Sequence, residues 1–121
     1  MSTSTQKNYM DLMDDFFFET SKLKNNATNQ EVVELLQENK SLINEIAALA
    51  KATELFWLSK HKYEEFKKEM LNDWENGMER IVFAYQQLLK RITHSKSNIH
   101  MRSAIVVFIP LLADALVIEG E

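Results

Sequence analysis

Three histidines are the first residues in this chain whose chemistry invites a test. His94 and His100 lie six residues apart in "THSKSNIH", and His61 sits in "SKHKYEE". Two imidazoles on one loop could begin a metal site or accept a phosphoryl group. A stable metal site needs more well-placed ligands than two, so exposed histidines are the simpler expectation there. His61 has a lysine on each side, but the small neighbours that a phosphotransfer histidine would need are missing.

Other reactive arrangements are excluded on residue types. There is no cysteine, which removes thiolate nucleophiles, disulfides and cysteine metal sites. No histidine follows a glutamate at the spacing of a bundle di-metal site, and HExxH is absent. With only Gly77 and Gly120, neither a phosphate-binding loop nor a dinucleotide fingerprint can form. The serines gather near the N-terminus and around residues 95–103, where no local triad assembles. No small-molecule substrate and no cofactor is implied, and the expectation is a protein that is not an enzyme.

A second candidate is the stretch 90–102, which holds Lys90, Arg91, His94, Lys96, His100 and Arg102 and no acid. Such a stretch could meet phosphate, whether of a nucleic acid or of an anionic lipid headgroup. It has no interleaved aromatic residue to stack on bases, and the chain's formal net charge is −4. Both points count against nucleic acid. Lys90 and Arg91 also have a structural reason for their place, because cations favour a helix C-terminus. The opposite charge collects in the first segment, at Asp11, Asp14, Asp15 and Glu19.

The elements that must position these residues are helical. With 2 Gly and 1 Pro in 121 residues, tight turns are scarce, so helices with short connections fit best. Residues 1–6 read as a flexible N-terminus and 7–121 as one helical domain. No apolar run follows the first residues, so a secretory signal is not expected and a cytoplasmic location is. Tyr9, Leu12, Met13, Phe16, Phe17 and Leu23 recur at helical spacing, with Met10 and Phe18 off the stripe. "NNATN" ends that segment, and Thr28 with Glu31 forms the pattern of a capping box.

A seven-residue rhythm follows, through Leu35, Leu42, Leu49, Phe56, Tyr63 and Met70, as in a coiled coil. Its partner row reads Val32, Asn39, Ile46, Thr53, Lys60, Lys67 and Trp74. Asn39 and Thr53 on that row could fix helix register or could reach water at the margin. The apolar face is broad, which suits a bundle better than a two-stranded seam. One helix over 29–93 would be roughly 97 Å long at 1.5 Å per residue. A bend near 59–62 is therefore expected, with a single projecting helix as the alternative. The stripe stays in phase across Glu75, Asn76 and Gly77, which predicts a local weakening there and not a reversal. Asn98 is placed to cap the last helix after a loop over 93–98.

That last segment, "SAIVVFIPLLADALVIEGE", is apolar nearly all round from Ala104 to Ile118, with Asp114 its one charge. It falls short of the ~20 residues of a membrane span, and no polar face suits it to lie on a membrane surface. Pro110 predicts a kink or a fresh helical start. An all-round apolar helix belongs inside a bundle or under a partner. The fold expected is all-α: a four-helix bundle or long helical hairpin with a Pro-kinked C-terminal helix.

The function expected is a non-enzymatic protein–protein interaction module: a small adaptor, chaperone or inhibitor-like accessory protein, self-associating or bound to a protein partner. Its interface residues would be Phe18, Trp57, Ile105, Phe108, Leu112 and Leu116. The alternative is a peripheral lipid- or granule-surface binder using the apolar tail with Lys90, Arg91, Lys96 and Arg102. A third reading, weaker than both, is a bundle enzyme or signalling domain using His61, His94 or His100.

Overall fold

The structure is a computed structural model that describes residues 8–120, with the side chains of 118–120 excepted. Residues 1–6, expected as a flexible N-terminus, lie outside the described residues. Six helices and no strand are present among the described residues: α1 (Tyr9–Thr20), α2 (Asn29–Glu38), α3 (Lys40–Lys51), α4 (Glu54–Asp73), α5 (Gly77–Thr93) and α6 (Asn98–Gly120). The expectation of an all-helical chain holds.

Every helix except α3 begins where a short polar side chain satisfies one of the first free amides. Asn8 accepts from the Asp11 amide at 2.9 Å and starts α1. Thr28 accepts from the Glu31 amide at 3.1 Å, and Glu31 accepts from the Thr28 amide at 3.0 Å, so the capping box forms as expected. The Thr28 amide, and after it the Thr28 side chain, hold the Glu31 carboxyl below its ordinary range. The last helix is capped one residue earlier than expected: Ser97, not Asn98, accepts from the His100 amide at 3.2 Å.

The stretch 29–93 is neither one helix nor a helix bent at 59–62. Residues 59–62 run unbroken inside α4, and the breaks fall at Asn39, at Ala52–Thr53 and at 74–76. Asn39 and Thr53, both partly exposed, are helix-boundary residues. Asn39 Nδ2 donates to the Leu35 carbonyl at 2.9 Å, closing α2. Thr53 is extended (ψ 152°) and accepts from the Phe56 amide at 3.1 Å, opening α4.

At the third break Trp74 is extended, and Asn76 accepts from the Met78 amide at 2.7 Å. Arg80 of α5 then donates to two carbonyls at the end of α4, Trp74 at 2.6 Å and Leu71 at 3.2 Å. The beginning of α4 and the end of α5 line one cleft, so α5 doubles back along α4. The expected local weakening at 75–77 is a reversal. The stripe keeps its phase because both helices turn their apolar sides to the same neighbour.

That neighbour is α6, whose most extensive contacts are with α5, α3 and α4. From Ala104 to Leu116 every residue is buried except Asp114, which is partly so. By length and composition Asn98–Val117 could cross a membrane, being 20 residues with a mean hydropathy of 1.7. It is longer than the apolar run because the helix starts at Asn98, and 67% of its most apolar window is buried within this chain. The helix is continuous through Pro110, so no fresh start occurs there. Proline has no amide hydrogen, which deprives the Val106 carbonyl of its usual donor.

Asp114, the lone charge of the apolar run, is held from two other helices. Tyr63 Oη donates to Asp114 Oδ2. Lys67 Nζ lies 3.4 Å from that oxygen, and Lys51 Nζ lies 4.0 Å from Oδ1. Both ammonium groups also lie over the Tyr63 ring, at 5.8 Å for Lys51 and 5.9 Å for Lys67. One carboxylate thereby ties α3 and α4 to α6.

All three tyrosines of the chain have phenols that resist ionisation. Burial pushes Tyr9 up to about 12, opposed in part by the Arg102 charge. Burial also raises Tyr63, aided by its hydrogen bond to Asp114, and raises Tyr85 against a hydrogen bond with Thr20. A phenol raised in the folded state leaves stability intact below the unfolded value of about 10 and removes it as pH climbs through the folded one. The expected outcome is one alkaline transition between about pH 10 and 12, in which tyrosinate absorbance and loss of helical circular dichroism coincide. Tyrosinate absorbance that rises near pH 10 while the helix signal is unchanged would contradict this packing.

Candidate functional site

The six residues expected at an interface separate into two groups. Ile105, Phe108, Leu112 and Leu116 are buried within the chain, so they are core and not partner surface. The reason is the missing polar face of α6: α3, α4 and α5 cover the helix from this chain's own residues. Phe18 and Trp57 stand in solvent, 65% and 63% exposed. Each carries a lysine over its ring, Lys22 at 5.2 Å and Lys60 at 4.7 Å. Leu58 and Ile99, 76% and 70% exposed, are two further apolar side chains that the sequence reading missed.

The principal cleft lies where the first half of α4, the end of α5 and the first turns of α6 meet, with a volume of about 550 Å³. All three histidines line it. His61 comes from α4, His94 ends α5, and His100 belongs to the first turn of α6. Lys62 and Arg91 add cations, Ser59 and Ser103 add hydroxyls, and Ala104, Val107 and Phe108 supply apolar surface. No carboxylate is among the residues lining it.

Local forces set the cleft's side chains. The Arg91 guanidinium rests over two rings, 5.6 Å from Phe66 and 5.8 Å from Phe108. Those rings meet edge to face at 4.9 Å. This cation–π seat fixes the arginine at the cleft while leaving it exposed. His94 Nδ1 lies 2.8 Å from the Lys90 carbonyl, and His61 Nε2 is paired with Glu65 one turn along α4. Among the described residues no three histidine or carboxylate side chains come close enough to hold a metal ion. Nor does any hydrogen bond link a serine hydroxyl to an imidazole in the cleft.

The basic stretch 90–102 does not survive as one surface. Arg91 lines the cleft, whereas Lys90, Lys96 and Arg102 are exposed and do not line it. His100, Ser103, Ala104 and Val107 lie on one side of α6 at helical spacing. Arg102 is two residues from His100, about 200° around the helix, and its charge acts on Tyr9 of α1. In its place Lys62 arrives from α4, a cation with no sequence link to the stretch. The usable signal was the strip of polar and small residues, His100, Ser103 and Ala104, on an otherwise apolar helix.

Comparison with family models, with curated proteins and with solved structures finds no match to this chain.

The division between core and surface is open to measurement. Leu112→Ala is expected to cost about 2–5 kcal/mol in urea unfolding, as for a fully buried leucine. Trp57→Ala is expected to stay within about 0.5 kcal/mol of the parent. Comparable losses for both would show that Trp57 belongs to the core.

Proposed function

We propose that this chain is a non-enzymatic protein–protein interaction module that self-associates. One observation carries the reading: Trp57, Leu58 and Ile99 remain in solvent although α6 already completes the interior. Trp57 and Leu58 are adjacent on α4, Leu58 lines the cleft, and Ile99 precedes the cleft residue His100. Large apolar side chains grouped beside a concave surface favour burial by another molecule. The four tail residues once expected to carry an interface no longer contribute to the argument, and the exposed group around the cleft takes their place.

Light-scattering mass over a concentration series tests this directly. The expected result is a mass that rises with concentration, with a smaller rise for Leu58→Ser combined with Ile99→Ser. A single monomeric mass at every concentration would remove self-association from the reading.

A second reading rests on Ile99, which stands exposed between Lys96 and Arg102. An apolar side chain flanked by cations suits an anionic lipid surface. Flotation with phosphatidylserine vesicles tests it: on this reading the intact chain floats and Ile99→Asp does not. Removing residues 103–121 would be uninformative, because it would take away the buried stretch from Ala104 to Leu116. If the intact chain stays at the bottom of the gradient, the lipid reading is discarded.

A further inference from the structure

We infer that the cleft between α4, α5 and α6 is the socket for the acidic helix α1 of a second copy of this chain. The inference rests on the self-associating reading above and names the two surfaces that would meet.

The first argument is charge. In a chain of formal net charge −4, the cleft gathers Lys62 and Arg91 without a carboxylate among its lining residues, while His61 there is already paired with Glu65. An occupant of opposite charge would neutralise those two cations, and an apolar side chain on it could cover the exposed Leu58.

The second argument is the outward side of α1. Met10, Asp14 and Phe18 follow one another at four-residue steps, and Asp11 lies beside them, all within an arc of about 100°. All four are exposed, while Leu12, Met13 and Phe16 on the other side enter the core. Carboxylates and large apolar side chains therefore share one free strip, which matches the cleft in both charge and polarity. Lys22 lies over Phe18 but is paired with Glu19 at 3.0 Å, so the pair adds no net charge to the strip.

The third argument is placement. Tyr9 of α1 feels the charge of Arg102, which projects about 200° around α6 from His100 and the cleft. The α1 helix packs with α2 and α3, and none of its residues lines its own chain's cleft. Within an assembly of this chain, the α1 that fills the socket would be another copy's. Such a contact joins two different surfaces, so it is heterologous and extends from copy to copy.

Two full-length variants separate the surfaces: Asp11→Lys with Asp14→Lys spoils the helix, and Lys62→Glu with Arg91→Glu spoils the cleft. Lys62→Glu alone serves as a milder cleft variant, because it leaves Arg91 over its two rings. Circular dichroism confirms that each remains helical. Sedimentation velocity in low salt is expected to show the parent assembling, and each double variant associating about tenfold or more weakly. The parent's assembly should also weaken in about 0.5 M salt.

Mixing the two double variants gives the decisive result. The intact α1 of one fits the intact cleft of the other, and the two charge-reversed surfaces also complement each other, so the mixture should assemble where neither variant does alone. Two outcomes would overturn the inference while leaving self-association standing: variants that assemble like the parent, or a mixture that stays monomeric while the parent assembles. A parent that is monomeric at every concentration would overturn both.

Discussion

The constraint on which the fold depends is that α6 has no side it can show to water. A helix of 23 residues, apolar for most of its length, has to be enclosed around nearly its whole circumference. No single neighbour can do this, since two helices touch along one stripe each. Three helices are therefore brought against it, and the breaks at Asn39, Thr53 and 74–76 let one stretch of chain approach it from different directions. An unbroken helix over 29–93 would have covered one stripe and run far past both ends. Asp114 adds a rotational condition. Stranding a partly buried carboxylate without partners would cost several kcal/mol, so α6 is held with that residue toward Lys51, Tyr63 and Lys67.

The helical class was legible because it follows from composition and periodicity, both local properties. The capping box at Thr28 and Glu31 was legible for the same reason: its two hydrogen bonds span three residues. Asn39 and Thr53 were not, because a polar residue on an apolar stripe has more than one physical solution. Capping a helix end is one of them, and it leaves the rhythm on either side intact. The reversal at 75–77 was hidden likewise, since α4 and α5 both face α6 and their stripes stay in phase through the turn. For the tail, the sequence showed that cover was needed and could not show which molecule supplied it.

The cleft was less legible than the fold. His94 and His100 were paired by nearness in sequence, but His61 and Lys62 join them through the antiparallel return of α5 along α4. Helical geometry also divided the basic stretch, sending Arg102 away from His100 although only one residue separates them. A run of like charge in sequence is a surface only when the chain there is extended or the spacing follows three and four. In residues 90–102 the spacing holds for Arg91 and His94, which share the cleft, and fails between His100 and Arg102.

The self-contained core changes the meaning of what remains outside. Had α6 been covered by a partner, the exposed Trp57, Leu58 and Ile99 would have been minor additions to a much larger apolar surface. With α6 enclosed, they are among the largest apolar side chains in water, and the interior has no need of them. Charge is divided in the same structure, with exposed carboxylates on α1 and none among the residues lining the cleft. Opposed charges orient an encounter and quicken it, while buried apolar area and fit decide how long it lasts. Here both kinds of group occur on each of the two surfaces: Met10 and Phe18 beside Asp11 and Asp14, and Leu58 beside Lys62 and Arg91. The same enclosure that withdraws the tail from the surface therefore leaves the molecule with two unlike, complementary sides.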